Sequence, residues 1–179
     1  QRLGIPPRAL VVDIGSNDGT FLRGFKDLGM TVLGVDPAVN IAKIANESGI
    51  ETLPEFFGQE IASGIVAQRG NAQLVTAAGV FYHLPNLDDV VEGVYTLLED
   101  DGVFVVQANY LLDMLEKNSF DNIYHEHLCY YALKPLTALF SRFNMEVVDV
   151  ERHSIHGGSI ILYVKKGITS TPKPRVEAL

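Results

Sequence analysis

The stretch Ala9-Leu10-Val11-Val12-Asp13-Ile14-Gly15-Ser16-Asn17-Asp18-Gly19-Thr20-Phe21-Leu22 restricts the possible folds more than any other part of the chain. Leu10, Val11, Val12 and Ile14 form a short apolar run, the pattern of a parallel strand covered on both faces. The run stops at Gly15. Gly15 and Gly19 bracket a turn where missing side chains let a ligand approach the backbone, and Asn17 or Asp18 is placed to cap the next helix. Phe21, Leu22, Phe25 and Leu28 then recur at helical spacing, with Gly29 placed to end the helix. A strand, a glycine turn and a helix in that order make half of a nucleotide site.

The other half follows. Thr31 to Val35 reads as a second strand delivering Asp36 and Pro37, about 20 positions after the turn, where dinucleotide-type folds hold a ribose. A carboxylate there accepts hydrogen bonds from both ribose hydroxyls. The turn is not the G-x-G-x-x-G of nicotinamide enzymes, because Ser16, Asn17 and Asp18 interrupt it. Nor is it a P-loop, since no G-K-[ST] follows and Asp13 and Asp18 would repel a pyrophosphate. Acidic groups beside the turn suit a ligand with a cationic amino-acid end, a description that fits S-adenosyl-L-methionine. Asp13 either orients the turn or touches the ligand's ammonium group.

At these residues the chain resembles the class I S-adenosylmethionine methyltransferases, whose first motif runs acid-x-Gly-x-Gly-x-Gly; here Asn17 replaces the middle glycine. A second stretch, Phe120-Asp121-Asn122-Ile123-Tyr124-His125-Glu126-His127-Leu128-Cys129-Tyr130-Tyr131, is similar to the active-site segment of C-methyltransferases acting on nucleotide-linked keto-deoxysugars. The Ser-Asn-Asp variant of the first motif is typical of that family. The likeness extends through Val80-Phe81-Tyr82-His83-Leu84-Pro85-Asn86-Leu87-Asp88-Asp89 and Gly157-Gly158-Ser159-Ile160, nearly the whole chain. It implies an α/β fold of the Rossmann-like class I methyltransferase type. It also implies flanking parts, an N-terminal zinc module and a further C-terminal domain.

Composition sets the outer limits. With 179 residues there is core for one ordinary domain, and 14 basic against 22 acidic residues give a net charge of −8. Nucleic acid and anionic membranes are therefore poor partners, and no apolar run is long enough to span a bilayer. Cys129 is the only cysteine, so the chain can build neither an internal disulfide nor a multi-cysteine zinc site, and a reducing, cytoplasmic setting fits. Residues 1–166 read as the cofactor-binding domain. Residues 167–179, with Ser170-Thr171-Pro172-Lys173-Pro174-Arg175, read as a linker or the start of a further domain.

Between these limits the pattern alternates. Helices are expected over 38–48, over 59–68 with an interruption at Gly64, and over 86–99, the last with Leu87, Val90, Val91, Val94, Tyr95 and Leu98 on one stripe. Strands are expected over 50–53, 74–81 and 103–109. Strands alternating with helices predict a mostly parallel sheet with helices on both faces. A helix starting near Pro135 then leads into two strand-like runs, 145–150 and 159–165, joined at His156-Gly157-Gly158. This predicts a C-terminal antiparallel strand pair.

Two groups of residues are candidates for function. Asp13, Gly15, Asn17, Asp18, Gly19, Asp36, Pro37 and Val80 are the cofactor-binding set, with S-adenosyl-L-homocysteine as the product left behind. Tyr124, Glu126 and His127, together with His83 after the fourth strand, are the catalytic set. Carbon methylation next to a ketone needs a base to remove a proton and a group to hold the resulting enolate. Histidine suits the first task because its pKa lies near working pH, and a carboxylate or phenol beside it assists. The resemblance singles out His127 as that base. The plainer reading makes His125 and His127 structural, His83 a loop residue, and Tyr130 and Tyr131 core. No metal is expected, because no cysteine cluster completes a shell and transfer from a sulfonium needs no Lewis acid. The substrate so implied is a keto-sugar on a nucleoside diphosphate. The rivals are a small-molecule O- or N-methyltransferase and a non-enzymatic cofactor-binding domain.

Overall fold

A computed structural model of the chain describes residues 3–167 and Val176. The linker expected over 167–179 lies, apart from Gly167 and Val176, outside the described residues. In chain order the elements are β1 (Leu10–Ile14), α1 (Thr20–Asp27), β2 (Thr31–Val35), α2 (Val39–Glu47), β3 (Thr52–Leu53), α3 (Gln59–Arg69) and β4 (Ala72–Ala78). They continue with α4 (Leu87–Leu97), β5 (Leu98–Asn109), α5 (Leu111–Lys117), α6 (Leu133–Ser141), β6 (Met145–His153) and β7 (Ser159–Lys166).

The strands form one seven-stranded sheet in the order β3-β2-β1-β4-β5-β7-β6. Each neighbouring pair from β3 to β5 is parallel, while β7 runs antiparallel to both β5 and β6. The C-terminal hairpin therefore threads its second strand between β5 and its own first strand. Strand order reverses between β1 and β4, and in such sheets ligands bind beyond the carboxyl ends of the strands at that reversal. The turn after β1 and the loop after β4 both open there.

Every residue of β1 is buried, as its apolar run requires. Val12 and Ile14 join the larger core with α3, α4 and α6, to which Ile65, Val91 and Phe140 contribute. Val11 points to the other face, where Leu22 of α1 and Ala45 of α2 pack over Leu74 and Val103. The period-two alternation of a strand thus divides one apolar run between two helical layers.

Several boundaries differ from the sequence expectation; the strand expected over 50–53 starts only at Thr52, and the run expected over 145–150 extends to His153. Helix α4 stops at Leu97, and Leu98 is already extended and paired with Ala72, while Val103 pairs with Leu74. Glu99, Asp100, Asp101 and Gly102 bulge out between those two pairings, inside one longer strand. Strand β4 ends at Ala78 and not at residue 81, because Gly79 takes a left-handed φ of 71° and Phe81–His83 close a single 3-10 turn. Helix α3 runs unbroken through Gly64, whose missing side chain has nothing within 4 Å. Helix α5 was not foreseen: it is seven residues long and leaves Leu115 largely exposed, so its apolar residues draw no clean stripe. No described helix is long and apolar enough to cross a membrane.

Candidate active site

The turn after β1 is built around Asp36. Asn17 sits at a left-handed φ of 52°, which turns its N–H toward Asp36, and it donates to Oδ2 at 2.9 Å. The other oxygen, Oδ1, accepts from Ala38 N–H at 2.9 Å. A carboxylate at the end of β2 thereby fastens the turn after β1 to the start of α2. Asn17 tolerates the conformation glycine would have held because its own Oδ1 accepts from Asp18 N–H at 2.7 Å. The N-cap of α1 is Gly19 and neither Asn17 nor Asp18; Asp18, one position earlier, accepts from Thr20 N–H at 3.0 Å, and its hydrogen bonds with Thr20 hold its carboxyl below the ordinary range. Gly15 donates to Val35 carbonyl at 2.8 Å, and a side chain there would lie 2.7 Å from Val80.

Asp13 is the acid at the buried end of this turn. It is almost wholly shielded, so desolvation pushes its carboxyl up to about 7. A 2.5 Å hydrogen bond from Thr76 Oγ1 opposes that shift, and the nearby Asp36 charge adds to it. Ser16 Oγ is also buried and has no protein partner.

Two cavities open beside the turn. The first, about 400 Å³, is mainly apolar, lined by Ile14, Val35, Pro37, Phe57, Leu84 and Val90 among others. The second, about 590 Å³, holds Asp13, Asn17, Asp18 and Phe21. Gly15, Asp36, Val80 and His83 line both. An apolar lobe and an acidic lobe, meeting at a carboxylate, match a molecule with an adenine at one end, a ribose in the middle and an ammonium at the other. Of the cofactor set, all but Gly19 line at least one cavity; Gly19 lies under the turn, where a side chain would meet Ile50 at 2.7 Å.

Of the second predicted set, His83 lines both lobes, His127 stacks on His83, and Tyr124 lies against His127. His83 ends the 3-10 turn after β4, and its Nε2 is buried without a protein partner. The His127 ring stacks on it at 5.2 Å between centroids, 28° from parallel. Tyr124 lies 4.1 Å from the His127 ring and Tyr82 4.5 Å from it, so the imidazole sits in an aromatic sleeve. His127 Nδ1 lies 2.8 Å from the Asn122 carbonyl. A carbonyl only accepts, so Nδ1 carries a proton, and the tautomer this contact selects is the one with its lone pair on Nε2. Burial and then the neighbouring His127 push the His83 pKa down, which keeps that ring neutral near pH 7, while Glu126 opposes the shift.

Glu126 is placed differently from its partners. Its carboxylate is mostly exposed and lies 3.9 Å from Nε2 of the exposed His125. Residues 120–128 thus present His127 inward, with Glu126 and His125 toward solvent. Tyr131 is buried and donates to the Phe81 carbonyl at 3.3 Å, which makes it a support for the turn carrying His83.

Several cavity residues were not singled out from sequence. Phe56 and Phe57, after the short β3, and Leu84, Pro85, Asn86 and Asp89, at the start of α4, all line the apolar lobe. The adjacent aromatic pair just past Pro54 was the available signal. Asp89 also accepts from Gln59 N–H at 3.2 Å, which joins the starts of α3 and α4 at the rim.

Comparison with known proteins agrees with the fold. The profile of a family described as "Methyltransferase domain" matches residues 1–150. C-methyltransferase NovU of Streptomyces niveus is 42% identical over 163 residues, which cover 91% of this chain and 39% of that protein. The ubiquinone biosynthesis O-methyltransferase of Cupriavidus pinatubonensis is 29% identical over 62% of this chain and 51% of its own length. The chain thus spans about two fifths of NovU and half of the ubiquinone enzyme. Among solved structures, a SAM-dependent methyltransferase from Anabaena variabilis superposes with a TM-score of 0.69 at 14% identity, over 92% of this chain and 80% of that one. With the strand order, the two-lobed cleft and the family match in agreement, the chain belongs to the methyltransferase domain family, an enzyme fold that takes S-adenosyl-L-methionine as its methyl donor.

Proposed function

We propose that this domain methylates carbon, at a position next to the ketone of a keto-deoxysugar carried on a nucleoside diphosphate. The observation that carries the reading is His127: a shielded imidazole stacked on His83, which lines both lobes, with a proton on Nδ1 facing the Asn122 carbonyl and Nε2 left to accept. An oxygen or nitrogen acceptor is already nucleophilic and has less use for such a base; a carbon acceptor must first lose a proton. The likeness to a protein named C-methyltransferase supports the same choice.

Asp36 would hold the ribose, and Asp13, Gly15, Asn17 and Asp18 the amino-acid end. S-adenosylmethionine, when bound, supplies an electrophilic methyl on a sulfonium and is left as S-adenosylhomocysteine. His127 Nε2 takes the α-proton of the sugar ketone, and the C–H electron pair moves into the enolate. His83, kept neutral by burial, is the nearby ring that can donate toward the oxyanion, and the Tyr124 hydroxyl is a second candidate donor. Glu126 is close enough to oppose the downward shift of His83. The protein's share is placement and electrostatics. A cytoplasmic setting belongs to the same proposal, since a nucleotide sugar and this donor are both soluble metabolites.

The test uses the full-length protein with ¹³C-methyl-labelled donor and a panel of nucleotide-linked keto-deoxysugars. Carbon-bound ¹³C-methyl in the product supports the reading. Methyl on oxygen or nitrogen, or no donor turnover with any keto-sugar, overturns it.

A further inference from the structure

We propose that the ion cluster of Asp113, Arg152 and Lys117 is a positioning device for His127, acting through the backbone of Asn122. This rests on the reading of His127 as the base, and reaches to residues some distance along the chain from it.

Asp113 of α5 is 3% exposed, and Arg152 of β6 grips its carboxylate with Nε to Oδ2 and Nη2 to Oδ1, each at 3.0 Å. Arg152 also reaches Glu116 at 2.6 Å and lies 5.3 Å over the Tyr110 ring. Lys117 bonds Asp113 at 2.8 Å and donates to the Gly157 carbonyl at 2.8 Å, at the tip of the β6–β7 hairpin. The hairpin lies so close to α5 that a side chain at Gly158 would fall 2.0 Å from Asp113 Cβ. Tyr110 N–H donates to the Gly158 carbonyl at 3.0 Å and closes the same contact from the other end of α5.

From this clamp the chain leads directly to Asn122. The end of α5 is turned by Asn118 at a left-handed φ of 53°, and Ser119 N–H bonds back to the Met114 carbonyl at 2.9 Å. The 3-10 turn Phe120–Asn122 follows, and its Asn122 side chain donates to the His156 carbonyl at 3.5 Å, on the clamped hairpin tip. The Asn122 carbonyl then accepts from His127 Nδ1 at 2.8 Å and from Tyr130 Oη at 3.4 Å. An acceptor carbonyl decides which ring nitrogen carries the proton only while its direction is held. Here that direction is set by α5 on one side and the hairpin tip on the other, and the ion pairs on the shielded Asp113 carboxylate lock the two together. The arrangement costs desolvation of a carboxylate, which three cationic hydrogen bonds from Arg152 and Lys117 offset.

Long-range ¹H–¹⁵N spectra of the histidine rings, taken at pH 8 on the full-length protein without any substrate, test this directly. The His127 signals are assigned by their loss in His127→Asn. In the native protein Nδ1 is expected as the protonated nitrogen. Asn122→Ala and Lys117→Met change groups near the surface and leave the Asn122 carbonyl in the chain. Each is expected to shift the tautomer ratio toward Nε2–H by at least about 5-fold, with melting temperature and S-adenosylhomocysteine affinity unchanged. Asp113→Asn should give the larger shift; should it fail to fold, the two surface variants decide alone. An unchanged His127 spectrum in both surface variants overturns the proposal and reduces the cluster to a structural clamp. Because no turnover is read, this result is separate from whether His127 serves as the base.

Discussion

The imidazoles of His83 and His127 come from segments 44 positions apart in sequence and lie stacked, 5.2 Å between centroids, with His83 lining both the apolar and the acidic lobe of the cleft. One ring has its proton placed by a backbone carbonyl and the other is held neutral by burial. Deuterium exchange separates their roles. With S-adenosylhomocysteine bound and a keto-sugar nucleotide in D₂O, the native protein is expected to wash out the α-proton. His127→Asn should slow the exchange by roughly 10²–10⁴-fold, the usual worth of a positioned base. Exchange at the native rate in His127→Asn would remove His127 from that role.

Asp36 and Asn17 are coupled through one 2.9 Å hydrogen bond, so both should influence cofactor affinity. Asp36→Ala removes a carboxylate that faces both lobes and releases the turn. A loss of about 1.5–3 kcal/mol per charge-assisted bond corresponds to roughly 10–150-fold weaker S-adenosylhomocysteine binding by calorimetry. Asn17→Gly keeps the left-handed turn and should bind within a few-fold of native. Asn17→Val, which resists that conformation by about 1–2 kcal/mol, should bind worse than Asn17→Gly.

Burial of Asp13 makes stability depend on pH. Its pKa is raised from 3.8 to about 7 in the folded protein, so between those values the folded state binds more protons than the unfolded one. Stability from this group therefore falls as pH rises from about 4 to about 7 and is flat above. Denaturant titrations at pH 5 and pH 8 should show the decline, on the order of a few kcal/mol at most, and Asp13→Asn should flatten it. A native profile as flat as that of Asp13→Asn would place Asp13 in a more polar environment than the structure gives it.

Phe81 is wholly buried, with the rings of Phe104, Tyr131 and Phe140 at 6.2, 5.7 and 6.1 Å, and it anchors the 3-10 turn that ends in His83. Phe81→Ala is expected to cost about 3–5 kcal/mol in unfolding experiments. Phe81→Leu should cost less, and it should lower turnover more than it weakens S-adenosylhomocysteine binding, since it disturbs His83 and leaves Asp36 untouched.

What the sequence determined by itself was local or periodic. The buried run of β1, the turn at Gly15, the carboxylate at the end of β2 and the alternation of strands and helices were legible because each is a short-range pattern with one physical meaning. Helix α5 and the end of β4 were not, since a seven-residue helix has too few turns to show a stripe and Val80 and Phe81 are as apolar as any strand residue. Tertiary structure alone decided which residues of Tyr124-His125-Glu126-His127 face inward. It also decided that Asp36 clasps the turn through Asn17, and that Asp113, Arg152 and the hairpin tip close around one another. Those are contacts between segments many residues apart, made only after the sheet brings their ends together. No propensity or spacing along the chain encodes the distance between two such ends.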